Sequence, residues 1–246
     1  MRTASHGLIA LSVFAVGAIL GPVAHAQDQQ ARLRAHMDAP GRSADDQQRD
    51  RIRKPIEVLE VLGVQDGMTA LDVIGVAGWY TGILSAAVGP TGHVYSQNPT
   101  FIVEREGFVQ GETERHAELG NVEALHGDVA GIDSQIDIAI SNQNMHDIFG
   151  GGEDAALALV SSIYNALKPG GVFGLMDHRG IAGQPNVELH RMEVDSARDL
   201  LVKAGFDVEA DSSLLAYAAD DHTLGSADES LNGMSDRFLL KARKPR

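Results

Sequence analysis

The chain predicts an α/β fold, a mostly parallel sheet covered by helices on both faces. Three observations predict it. From residue 69 onward, short apolar runs alternate with helix-length segments, the order that crossover-connected parallel strands require. The first run passes through a glycine-containing turn, Leu71-Asp72-Val73-Ile74-Gly75-Val76-Ala77-Gly78, directly into a helix. Such a turn brings backbone amides and a helix N-terminus up to a ligand. Finally, the 246 residues, less an N-terminal leader, leave about 220, enough for one well-buried domain.

The leader is residues 1–26. Arg2 supplies a positive start, residues 8–20 an apolar run, and Ala24-His25-Ala26 a small-x-small cleavage pattern that leaves Gln27 as the mature N-terminus. The apolar run is shorter than the ~20 residues of a spanning helix, which favours a cleaved signal over an anchor. The expectation is a periplasmic or secreted protein with no stable membrane insertion. The chain has no cysteine, which excludes disulfides, thiolate metal ligands and an N-terminal lipid anchor. A net charge of −14 argues against nucleic acid and anionic membranes as partners, and leaves a small-molecule ligand. The basic cluster Arg49, Arg51, Arg53 and Lys54 reads as a solvated helix start, with an anion contact as the alternative.

Residues 27–50, rich in Gln, Asp, Arg and Ala, read as a mature arm that is partly helical or loosely attached. The domain proper, residues 51–246, begins its core at Pro55. Proline at the first helical position and Gly63 past the last bound a helix with Ile56, Leu59 and Leu62 on one face. Residues 69–74 form the first strand, and residues 79–88 a helix closed by Gly89-Pro90. Strands follow at 93–97, 122–126 and 136–140. Residues 153–167 form an amphipathic helix with Leu157, Val160, Ile163 and Leu167 toward the sheet. Lys168-Pro169-Gly170-Gly171 turns it into a fifth strand at 172–176. A helix over 188–204 stops at Gly205, and 206–214 and 237–242 are the last two strands.

Several segments resemble the class I S-adenosylmethionine-dependent methyltransferase family. Met68 to Asp72 with its turn to Gly78 stands at the cofactor motif, and residues 121–128 at the segment whose closing acid meets adenine. Asp137-Ile138-Ala139-Ile140-Ser141-Asn142 is similar to the fourth strand, Leu167 to Gly171 to the turn before the fifth, and Asp236 to Lys241 to an antiparallel last strand. The resemblance covers residues 49–245 and implies a Rossmann-like sheet with adenosylmethionine as cofactor. Arg53-Lys54-Pro55, Trp79-Tyr80-Thr81, Asn144-Met145-His146, Asp177-His178-Arg179 and Asp220-Asp221-His222 are similar to an exported group within that class. The resemblance implies cofactor binding by Asp72, Gly75, Gly78, Asn98 and Asp128. The chain departs from the family at two places: β-branched Ile74 and Val76 stand where glycines are usual, and Asn98 where an acid usually receives the ribose hydroxyls.

Ligands of open α/β sheets sit beyond the carboxyl ends of the strands. Those ends carry Asp72, Asn98, Asp128, then Asn142 to Asp147, then Asp177-His178-Arg179. His146 and His178 are the candidate general bases, and Arg179 a candidate clamp for a carboxylate or phosphate. The bland alternative has Asp147 capping a turn, and His178 and Arg179 pairing with acids to tie the last loops down. The expected site contains no metal; a divalent ion on His146, His178 and His222 with Asp177 or Asp221 is a further alternative. Residues 216–233 read as a polar lid with solvated acids. The reading is a methyltransferase acting on a small acceptor. Its alternatives are a non-catalytic ligand-binding protein on the same fold and a His/Asp hydrolase or metal enzyme.

Overall fold

A computed structural model of the chain describes residues 22–76 and 78–246. The positive start and apolar run of the predicted export signal lie outside the described residues. Three helices, α1 (Pro22–Met37), α2 (Ala44–Arg53) and α3 (Pro55–Leu62), precede strand β1 (Thr69–Val73). There follow α4 (Trp79–Val88), β2 (His93–Asn98), α5 (Thr100–Val103), α6 (Phe108–His116), β3 (Val122–His126), β4 (Ile136–Asn142) and α7 (Met145–Gly150). The chain closes with α8 (Glu153–Ala166), β5 (Leu167–Gly180), β6 (Met192–Glu193), α9 (Val194–Lys203), β7 (Asp207–Ser212) and β8 (Arg237–Arg243).

The strands form one sheet in the order β3-β2-β1-β4-β5-β8-β7, with β6 beside β5. The pairs β1–β2, β2–β3, β1–β4 and β4–β5 are parallel, and β8 runs antiparallel to both β5 and β7. This is the predicted mostly parallel sheet with its antiparallel last strand. Alternate strand residues point to opposite faces, so the apolar runs split into two cores. Ala70, Ile138, Ile140 and Met176 pack with Leu33, Leu59 and Leu84 under α1, α3 and α4. Leu71, Ala139, Phe173 and Leu175 pack with Val160, Ile163 and Leu200 under α8 and α9. Burial on both faces is why Ala70, Leu71 and Val73 of β1 are apolar without alternating with exposed polar residues.

The arm is helical and fastened to the body. Gln29 Nε2 donates to the carbonyls of Ala87 (2.9 Å) and Val64 (3.2 Å), Arg32 Nε donates to that of Ala86 (3.0 Å), and Leu33 is buried. The helix predicted over 188–204 begins only at Val194. Arg191 is the reason: it is buried in a two-pronged pair with Asp220 (2.9 and 3.1 Å), and His190 before it takes φ 51°. That pair also corrects the reading of 216–233 at one acid: Asp220 is buried and accepts from the Asp236 amide (2.6 Å), whereas Asp221, Asp228 and Glu229 are exposed as expected. No helix among the described residues is long and apolar enough to cross a membrane.

Candidate functional site

The strand order reverses direction between β1 and β4, and there the carboxyl ends of the strands open a crevice. It encloses about 160 Å³ and is lined by Asp72, Gly75, Val76, Tyr80, Asn142 and Asn144. Asp72 is buried at the end of β1, and its Oδ2 accepts from Thr81 Oγ1 (2.7 Å). Burial pushes its carboxyl up to about 7, and the Thr81 hydrogen bonds only partly oppose this. Gly75 lies over this group so closely that a Cβ would stand 3.0 Å from Asp72 Oδ2 and 2.9 Å from Ser96 Oγ. Gly78 enters α4 at φ 70°, a left-handed conformation that glycine adopts at no steric cost. The Tyr80 hydroxyl is buried in the wall, without a hydrogen-bond partner among the described residues.

The turn itself is strained. Ile74 has φ 57° and Val76 φ 41°, values at which a β-branched residue is an outlier. Three amides hold it there: Ile74 N donates to Gln97 Oε1 (3.1 Å), Val76 N to Asn98 Oδ1 (2.9 Å), and Asn144 Nδ2 to the Ile74 carbonyl (3.2 Å). The chain thus keeps a glycine-type turn with bulky residues in it. Ile74 is buried in the core cluster that contains Val129 and Met145, and that burial offsets its strain.

Asn98, expected at the cofactor, is turned inward. It is fully buried, with Oδ1 on Val76 N and Nδ2 donating to Glu112 Oε1 (2.9 Å). Glu112, on α6, is itself buried and also meets His126 Nε2 (2.6 Å). Asp128 stands exposed just past β3, two strands away from β1.

His146 and His178 come together around one carboxylate. Asp177, fully buried in β5, accepts from His146 N (2.8 Å) and His178 N (2.7 Å) and bonds His146 Nδ1 (2.7 Å). The two imidazoles lie 5.7 Å apart between centroids. Burial depresses His146, but the Asp177 bond and charge, with Asp147 behind them, reverse this and leave it above its ordinary value. His178 is held well below its ordinary value by burial first, then by Arg237, His146, Arg53 and Arg191, so it is neutral at pH 7. His178 Nδ1 bonds Ser235 Oγ (2.7 Å).

Arg179 Nε lies 3.2 Å from Asp236 Oδ2, the ion pair expected by the alternative reading of that residue. One expectation needs correction. The metal set His146, His178 and His222 does not assemble, because His222 Nε2 is on Asp236 (2.9 Å) and His178 on Ser235. Instead His146, Asp147 and His190 bring three ligand-type atoms within 4.8 Å of one another.

No family model matches the chain. A 118-residue stretch is 33% identical to demethylmenaquinone methyltransferase of Staphylococcus aureus, an alignment covering 47% of this chain and 45% of the relative. The likeness therefore spans less than half the length of those curated relatives. Among solved structures, an S-adenosylmethionine-dependent methyltransferase from Aquifex aeolicus superposes with a TM-score of 0.60 at 21% identity, covering 87% of this chain and 97% of that one. One from Mesorhizobium loti gives 0.55 at 14% identity, covering 76% and 96%. The fold is that of the class I methyltransferases. A possible exported protein from Bordetella parapertussis shares this methyltransferase fold, with a TM-score of 0.53 at 17% identity over 80% of this chain and 68% of that one.

Sequence reasoning undervalued three residues in or beside this methyltransferase-fold crevice. Asp177 was legible only as a possible ligand, because nothing in sequence shows one carboxylate collecting three donors. Arg49 and Arg53 were read with Arg51 and Lys54 as a solvated cluster. Helical spacing could have separated them: Arg51 and Lys54 are exposed, whereas Arg49 and Arg53 turn into the crevice. Arg53 stacks 5.3 Å above the Trp79 ring, and burial, Arg237 and Arg49 push its guanidinium down to about 9.

Proposed function

We propose that this protein is an exported S-adenosylmethionine-dependent methyltransferase acting on a small acceptor. One observation carries the reading: at the β1–β4 switch point a buried acid and a left-handed turn line one crevice, with a tyrosine hydroxyl that has no partner among the described residues buried in its wall. These residues fit the methionine end of the cofactor. Asp72 would hold its amino group, Gly75 leaves the room a side chain would take, and Gly78 sets the helix start. Gly127 and Asp128 mark the adenine direction. The Asn98 side chain is spent on Val76 N and Glu112, so it meets the ribose only by giving up one of those bonds. When bound, adenosylmethionine supplies the electrophilic methyl group. His178, neutral at pH 7, is in the form that takes a proton from an acceptor, and His146 is oriented by Asp177 beside it. The export part rests on residues 1–26. The contacts of Gln29, Arg32 and Leu33 all lie beyond a cut after Ala26, so cleavage leaves them in place.

Asp72 gives this reading a proton signature. Its folded value of about 7 exceeds the ordinary 3.8, so the ligand-free fold loses stability as pH rises from about 4 through 7. An ammonium beside it restores ionisation and expels the proton. Calorimetry of adenosylmethionine binding near pH 6.5, in buffers of different ionisation enthalpy, is expected to show release of a fraction of a proton, absent in Asp72→Asn. Binding with no buffer dependence would remove Asp72 from the site.

The metal alternative also has a specific observation, the His146–Asp147–His190 trio with Asp177 orienting His146 as outer-sphere carboxylates do. Elemental analysis of the dialysed protein tests it.

A further inference from the structure

The cavity next to the crevice lies between α2 and the ends of β4, β5 and β8, and encloses about 290 Å³. Arg49, Arg53, Gln143, His178 and Arg237 line it, with Asp45 at its exposed rim. Arg49 and Arg53 also line the crevice, so the two spaces share a wall. In a chain of net charge −14, three guanidinium groups converge on one small space. Arg49 is paired with Asp46 (2.8 Å). Among the described residues Arg53 has an aromatic face for a neighbour and no carboxylate in contact.

The decisive observation is what the buried donors lack. Arg237 is only 4% exposed, and it spends its terminal nitrogens on the carbonyls of Ser235 (2.9 Å) and Gly233 (2.6 Å). Among the described residues its Nε has no partner, and neither does Gln143 Nε2. A buried donor left unpaired is costly, and both orphans on this lining are nitrogen donors. Gln143 is moreover held at φ 61°, with its own amide on the Met176 carbonyl (2.8 Å), a strained backbone of the kind that functional sites retain. Cations and unpaired donors together call for a ligand made of acceptors.

We propose that this cavity is the acceptor site and that it takes the anionic group, carboxylate or phosphate, of a small molecule whose other end reaches the crevice. The word acceptor rests on the methyltransferase reading; the anion site does not. Arg53 and Gln143 recognise the anion, and Arg237 supplies the buried charge beneath it.

Trp79 is the chain's single tryptophan and lies under Arg53, so its emission reports on the site. The folded full-length chain is titrated with inorganic phosphate and, separately, with benzoate, by Trp79 emission and by calorimetry. A saturable response is expected to at least one, with the stronger arm assigning phosphate or carboxylate. Affinity should fall about tenfold or more in Arg53→Gln and in Gln143→Asn, a variant that tolerates the left-handed backbone and withdraws the amide. No saturable response to either anion, or equal affinity in both variants, would overturn the proposal. So would competition by adenosylhomocysteine, which would place the anion at the cofactor's own carboxylate. If adenosylmethionine fails to bind while the anion response holds, the acceptor assignment and the methyltransferase reading fall and the anion site stands.

Discussion

Asp177→Ala is expected to lower the folding free energy by about 3 kcal/mol or more, a loss of roughly 6–12 °C in Tm for a chain of this size. Three donors now end on that fully buried carboxylate: the amides of His146 and His178 and the His146 ring. Alanine leaves all three without an acceptor in a space water does not reach. Asp177→Asn keeps one accepting oxygen and should lose less. The variant also has a titration signature. In the native chain His146 is raised, so its contribution to stability is present below about 6.5 and is lost as pH rises through the folded value. With Asp177 gone only burial and the exposed Asp147 act on the ring, and its pKa should drop, which an NMR titration of His146 reads directly. An unchanged His146 pKa would mean that Asp177 neither charges nor orients it.

Val76→Gly and Ile74→Gly are expected to part company. Both positions have left-handed backbone, which costs a β-branched residue about 1–3 kcal/mol. Ile74 is buried in the core, and deleting such a side chain costs about 2–5 kcal/mol. Ile74→Gly should therefore lose about 1–3 kcal/mol net. Val76 is only partly buried and lines the crevice, so relief of strain and loss of packing nearly cancel, within about 1 kcal/mol. What Val76→Gly gains is room. Relief of a steric conflict of about 1–2 kcal/mol corresponds to roughly tenfold tighter adenosylhomocysteine binding. Chemical denaturation and calorimetry on the two single variants check both halves; a Val76→Gly protein that binds no better would show that this side chain does not obstruct the ligand.

The contrast between these two positions shows how much of the molecule the sequence could reveal. The alternation of apolar runs with capped helices was legible because both faces of the sheet are covered, and burial writes itself into composition. Trp79 to Val88 and Val122 to His126 fell where periodicity and turn chemistry put them. The helix expected from residue 188 did not, because one tertiary pair, Arg191 with Asp220, overrides local preference. The site was legible only as strand ends. Asp72, His146 and His178 were in view because their residue types carry chemistry. Asn98 was also in view, yet its amide is consumed by the turn and Glu112, a partner 14 positions away that no spacing rule singles out. Ile74 and Val76 read as resisting positive φ, and they do occupy it, held by Gln97, Asn98 and Asn144.

The central claim is that the β1–β4 crevice binds adenosylmethionine through Asp72. Its most direct test is the melting temperature of the folded chain with and without adenosylhomocysteine at pH 7.5. A ligand at about one hundred times its Kd stabilises by about 2.7 kcal/mol, so Tm should rise by roughly 5–10 °C, and the rise should largely vanish in Asp72→Asn. An unchanged melting temperature at millimolar ligand, or an equal rise in Asp72→Asn, would contradict it.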